Sequence, residues 1–232
     1  LNLSGQQNTK VYDLVIKYGA DVQKDLNPDG ANALLIAAPN DPDFKLVSYF
    51  QSKGLDINSV DSDGNGIFNY VTKKGQIESL KALLKKGIKG TDQAFIFAAN
   101  GARGTTNGIE VYTYLERVGL NPNVTNKEGE SALHILAARS KDLDVIKFLL
   151  DKGLEVSTKD SKGNNALMYA ASSNNLEVVN LLADNLKNHD DINKKGQSAL
   201  TLAVGGNTSD VVAFLIKKDY KTALVDTDGN SL

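Results

Sequence analysis

Residues 61–66 read DSDGNG. Asp61, Asp63 and Asn65 set oxygen-bearing side chains at alternate positions, and Gly66 follows at once. A calcium loop of the EF-hand type opens this way, and it then needs a bidentate Glu at its twelfth position. The twelfth position here is Thr72, so a hard cation would lack its strongest ligand. The string also recurs, as NPDGAN at 27, NKEGES at 126, DSKGNN at 160, NKKGQS at 193 and DTDGNS at 226. Successive starts lie 34, 65, 34, 33 and 33 residues apart, and 65 is close to two periods with one start missing. An ion site has no need of such a period; a structural repeat does.

The same order of events follows each start. After DSKG at 160–163, a turn in which Gly163 suits a positive φ, NALMYAASS reads as a short helix with Leu167, Ala170 and Ala171 on one face. LEVVNLLAD then reads as a second helix, with Leu176, Val179 and Leu182 at helical spacing beside Val178 and Leu181. First helices are expected at 33–38, 68–72, 94–99, 132–138 and 199–204, and second helices in the segments that begin at 44, 77, 109, 143 and 209. Gly19, Gly54, Gly87, Gly119 and Gly153 stand where second helices should close, a place for the left-handed conformation. Alanine pairs in the first helices predict units stacked closely in one dimension.

The stretch from Asn126 to Val156, NKEGESALHILAARSKDLDVIKFLLDKGLEV, resembles the ankyrin repeat. That family's pattern runs D-x-x-G-x-T-P-L-H-x-A-A, then G-H-x-x-V-V-x-x-L-L, then G-A-D-V-N. GADV at 19–22 and GLDIN at 54–58 match its last segment, and Gly75 with Gln76 approximates its Gly-His. Ala or Gly replaces the family's Pro, and the motif His survives only as His134. The resemblance implies an all-α solenoid of stacked helix-turn-helix units joined by β-hairpin fingers. The units fall at about 1–26 (partial), 27–60, 61–90, 91–125 (divergent), 126–159, 160–192, 193–225 and 226–232 (partial). It also implies binding through finger tips and the exposed ends of first helices. The matching tip positions are Ser62, Asp63 and Asn65, then Lys127, Glu128 and Glu130, then Ser161, Lys162 and Asn164, then Lys194, Lys195 and Gln197. On the first helices they are Lys73, Lys74, Arg139, Ser172 and Ser173.

The divergent unit loses a whole finger around 88–93 and gains residues in the loop at about 100–108, which holds three glycines and Arg103. A flexible loop and a break in the row of fingers are expected there. GARGTTNG lacks the Lys-Ser/Thr of a phosphate loop and follows a helix rather than a strand.

Little in the chain points to chemistry. There is no Cys, so disulfides and thiolate metal sites are excluded, and the net charge of −2 gives no case for nucleic acid. No apolar run reaches the roughly 20 residues of a membrane-spanning helix. His134 is expected to brace its finger; Ser131 beside it is a turn residue, and His189, in a solvated acidic turn, has no assigned role. The expectation is a non-enzymatic module that binds a protein partner of unidentified kind through finger tips and the concave face, with no cofactor or ion, calcium included. The alternative is a regulatory or targeting segment of a larger protein. The first unit holds only a second helix and the last only a finger, so the parent chain is expected to continue at one or both ends.

Overall fold

The structure is a computed structural model that describes residues 8–24, 27–101, 105–173 and 175–220. Among these are thirteen α-helices, a lone first helix followed by six pairs. They are α1 (Thr9–Lys17), α2 (Ala33–Ala37), α3 (Lys45–Ser52), α4 (Ile67–Thr72), α5 (Ile77–Lys85), α6 (Ala94–Asn100), α7 (Ile109–Arg117), α8 (Ala132–Arg139), α9 (Leu143–Asp151), α10 (Ala166–Ser173), α11 (Leu176–Asp184), α12 (Ala199–Gly206) and α13 (Ser209–Lys217). The even-numbered helices pack one on the next from α2 to α12, and α7, α9, α11 and α13 form a second layer behind them.

Side-chain size explains the close inner layer. Ala98, Ala99, Ala137, Ala170, Ala171 and Ala203 have no exposed surface and let successive helices approach. The outer helices are amphipathic. In α9, Val145, Ile146 and Leu149 are buried while Asp144, Lys147 and Asp151 face water. All five glycines expected to close second helices have φ between +80° and +99°. At the end of α13 the same place is taken by Asp219 at φ +63°, a residue type that tolerates the left-handed region.

Two expectations need correction. The fingers are not β-hairpins with ladders: no strand forms among the described residues, and the one antiparallel bridge joins Thr125 to Ser131. Each finger is a tight turn. Asp61 N–H donates to Asn65 O at 3.1 Å and Gly64 N–H returns to Asp61 O at 3.0 Å, after which the chain enters α4 at once and leaves no length for strands. The second helix of the 27–60 unit begins at Lys45 rather than 44. Phe44 adopts φ +55°, and the buried carboxylate of Asp41 caps α3 by accepting from the N–H groups of Lys45 and Val47.

Candidate functional site

The first residue of each finger organises the turn. The Asp61 side chain accepts the N–H groups of Asp63 (3.0 Å) and Asn65 (2.8 Å), the Asn65 carboxamide, and the hydroxyl of Tyr70 at 3.0 Å. Asp160 does the same with Lys162, Asn164 and Tyr169, and Asn126 and Asn193 accept from the two equivalent N–H groups. This is Asx-turn chemistry. The sharp left-handed residue is Gly64 at φ +79°, whereas Gly66, the glycine of the cation-loop reading, is extended at φ −90° and leads into α4.

Neighbouring fingers are laced by backbone. Ser62 N–H donates to Asp29 O (3.0 Å), Ser161 N–H to Glu128 O (2.8 Å) and Lys194 N–H to Lys162 O (2.9 Å). The lacing skips the 91–125 unit. There the chain makes a short turn before α6, which holds on to both neighbours. Thr91 exchanges hydrogen bonds with Asn69, Gln93 reaches Thr125 O at 2.8 Å, and Asp92 accepts from Asn121 N–H at 2.8 Å.

Where the finger is missing, a cleft of about 700 Å³ opens on the finger side. Asp61, Asp63 and Asn65 line one lip and Thr125, Asn126, Lys127 and Glu128 the other, with Tyr70, Ile96 and Phe97 among the residues between. The Tyr70 and Phe97 rings meet at 5.0 Å, and the Lys73 ammonium lies 5.6 Å from the Phe97 ring centre. Burial, with the negative charge of Asp61 beside it, pushes the Tyr70 hydroxyl pKa up and keeps it a donor. The lips touch through one ion pair, Lys127 Nζ to Asp63 Oδ1 at 2.8 Å, which raises the pKa of the Lys127 ammonium.

The positions expected to face a partner are not all equally available. Ser62, Asp63, Lys74, Lys127, Glu128, Arg139, Ser161, Lys162, Ser173, Lys194 and Lys195 are exposed. Lys73, Glu130, Asn164, Ser172 and Gln197 are half-buried, and Asn65 is buried at 5%. Glu130 is already engaged, accepting from the Tyr169 hydroxyl and the Asn126 carboxamide. The cleft brings Asp63, Asn65, Lys73, Lys127 and Glu128 together; the tips at 161–164 and 194–197 lie outside it.

His134 braces its finger. Its Nε2 meets the Thr158 carbonyl at 2.9 Å, which fixes the proton there, while Nδ1 accepts from Ser131 N–H and from the Ser131 hydroxyl. Burial outweighs these partners and lowers the His134 pKa, so the ring stays neutral. Asn69 fills the equivalent place in α4 and reaches Thr91 as His134 reaches Thr158, a substitution the motif alone does not reveal. His189 does have a part: its ring stacks on the buried Tyr220 at 4.4 Å. The described end of the 100–108 loop is pinned, because the Asn107 carboxamide donates to the carbonyls of Thr72, Lys73 and Ala98. Arg103 and the 226–231 turn lie outside the described residues.

Comparison with known proteins agrees with this geometry. The family model described as Ankyrin repeats (3 copies) matches residues 95–193. An ankyrin repeat protein of fowlpox virus (strain NVSL) is 28% identical over 131 residues, 54% of this chain and 66% of that protein. An ankyrin repeat-containing protein of Treponema pallidum (strain Nichols) is 27% identical over 139 residues, 58% of this chain and 46% of that one. The chain thus spans just under two thirds of the first relative and under half of the second. Among solved structures, the human ASB11 ankyrin repeat domain matches with a TM-score of 0.63 and 22% identity, covering 93% of this chain and 95% of that one. At that identity the likeness speaks for the fold.

Proposed function

The chain belongs to the ankyrin-repeat family, and from that premise we propose that it is a non-enzymatic module that binds a protein partner through its finger tips and concave face. Ankyrin repeats serve in general as protein–protein interaction modules, and the family is typically non-catalytic. The observation that carries the reading here is the cleft at the missing finger. It is about 700 Å³ in volume, with aromatic and aliphatic side chains such as Tyr70, Ile96 and Phe97 in its lining and the exposed residues Asp63, Lys127 and Glu128 at its edges. A concave surface with apolar lining and polar edges has the make-up of a recognition site. The outer helices present isolated charges instead, such as Lys147 and Asp151 on α9.

A photoreactive residue placed at Ser62, Lys127 or Lys162, with a fourth at Lys147 on the outer layer, separates the two faces in cells. Crosslinks from the tips and none from Lys147 are expected. Crosslinks from Lys147 alone would refute the reading.

A further inference from the structure

The finger row supplies its own control for what the cleft lacks. Between the 160 and 193 fingers two bonds cross: Lys194 N–H to Lys162 O, and the Asn193 carboxamide to Asn164 Oδ1 at 2.9 Å. The corresponding acceptors on the 61 finger are Asp63 O and Asn65 Oδ1. Among the described residues nothing donates to either, and Asn65 Oδ1 is buried without a partner. On the opposite lip, Lys127 N–H corresponds to the N–H groups of Ser62, Ser161 and Lys194, each of which bonds back to the preceding finger. Lys127 N–H has no such acceptor among the described residues. Three polar groups that a complete row would satisfy are therefore left unpaired along one cleft. A buried carbonyl oxygen left unpaired costs free energy that an incoming donor recovers.

We infer that the cleft receives an exposed turn of a protein partner that stands in for the missing finger, with Asn first, Lys or Arg second and Gly fourth. This rests on the protein-binding reading above and names the partner's chemistry. Each position follows from a group on the lips. The first residue must donate to Asn65 Oδ1 as Asn193 donates to Asn164, which Asn does and Asp cannot. The N–H of the second residue then reaches Asp63 O, and its side chain enters a cleft whose charges are Asp29, Asp61, Asp63 and Glu128 against Lys73 and Lys127. A partner cation replaces Lys127 as the companion of Asp63; that ion pair is exposed on both sides and easily exchanged. The Tyr70 and Phe97 rings offer it aromatic faces as well. Glycine is fourth because the fourth residue of the chain's own turns, from Gly30 to Gly196, sits at φ between +74° and +81°.

The probe is a backbone-cyclised peptide carrying an Asn-Lys-Lys-Gly turn, titrated into the ¹⁵N-labelled 232-residue chain. Saturable amide shifts are expected at Asp63, Asn65 and Lys127. Affinity should fall about tenfold when the peptide's Asn becomes Asp, the loss of roughly one hydrogen bond. It should fall further when its lysines become glutamates. Asp63→Ala, an exposed change that leaves the turn's own hydrogen bonds in place, should weaken the same peptide severalfold. Shifts confined to the 161–162 and 194–195 tips would overturn the inference while leaving a protein-binding face intact. No shifts at millimolar peptide, or equal binding of the glutamate peptide, would also overturn it. So would shifts that follow protein concentration without peptide, since the occupant would then be a second copy.

Discussion

DSDGN at 61–65 and DSKGN at 160–164 are almost the same turn, set in two different neighbourhoods. Inside each, an Asp carboxylate takes two backbone N–H groups, a carboxamide and a tyrosine hydroxyl nine residues on. At Asp160 burial acts to raise the carboxyl pKa, but the Tyr169 hydroxyl and the turn N–H groups outweigh it and hold it below the usual range. Outside the turn the two part company. The 160 finger has a laced neighbour on each side, and Tyr169 also reaches back to Glu130 at 2.7 Å. The 61 finger is laced only to Asp29 on its near side and faces the cleft on the other. Turn geometry is thus a local property of the sequence, whereas the satisfaction of the turn's outward groups depends on what the next unit supplies.

The largest expected effect lies in the short turn that replaces the finger. A Cβ on Gly90 would stand 2.2 Å from the Phe68 ring, which is fully buried. Gly90→Ala should therefore cost about 1–3 kcal/mol in denaturant unfolding. Gly87→Ala, which meets nothing within 4 Å, pays only for its positive φ. A cost under about 0.5 kcal/mol for Gly90→Ala would mean that the bypass is looser than described.

Acid should strike the complete side of the row and spare the interrupted side. His134 is kept neutral in the folded chain, its pKa lowered by burial, whereas Asn69 at the equivalent place does not titrate. The stability that neutral His134 contributes is fully present above its unfolded pKa of about 6.5 and is lost as pH falls from there toward the lower folded value. Over the pH unit below about 6.5 the chain should lose stability, by less than the limit of about 1.4 kcal/mol per pH unit for one proton. Melting curves of His134→Asn should be flat over that window relative to the parent chain. A parallel decline in both would assign the acid sensitivity to other groups.

The smallest effect isolates the cross-finger bond. Asn193→Ala and Asn126→Ala each remove an Asx cap, but only Asn193 also donates to the preceding finger. The first should cost about 0.5–1 kcal/mol more than the second, the net worth of one hydrogen bond. Equal costs would mean that lacing between fingers contributes nothing to stability.

The stacking of units is legible in the amino-acid sequence, through the period of the Asp/Asn–x–x–Gly turns. The glycines at the ends of second helices mark their boundaries, and the residues missing near 88–93 mark the gap. What stays hidden at that level is chemistry between residues far apart in the chain. Asn69 does the work of the motif His only because Thr91 comes within reach, and His189 finds Tyr220 through folding rather than spacing. Asp41 reads as one more polar residue in PNDPDF until its carboxylate is seen capping α3. The fingers read as hairpins because the motif order matches, yet the turns run straight into helices. Of the expected site residues, Asn65 has the right position and the wrong exposure for a tip, since its carboxamide folds back on Asp61.

The central claim is that, among the described residues, each finger is laced to the one before it except across the 91–125 unit. Residue-resolved amide hydrogen exchange tests it directly. Ser62, Ser161 and Lys194 N–H, each bonded to the preceding finger, should be protected, while Lys127 N–H, at the same place in its own turn, should exchange at the rate of an open amide. Protection of Lys127 equal to that of the other three would contradict the account, because it would place an acceptor where the cleft is open.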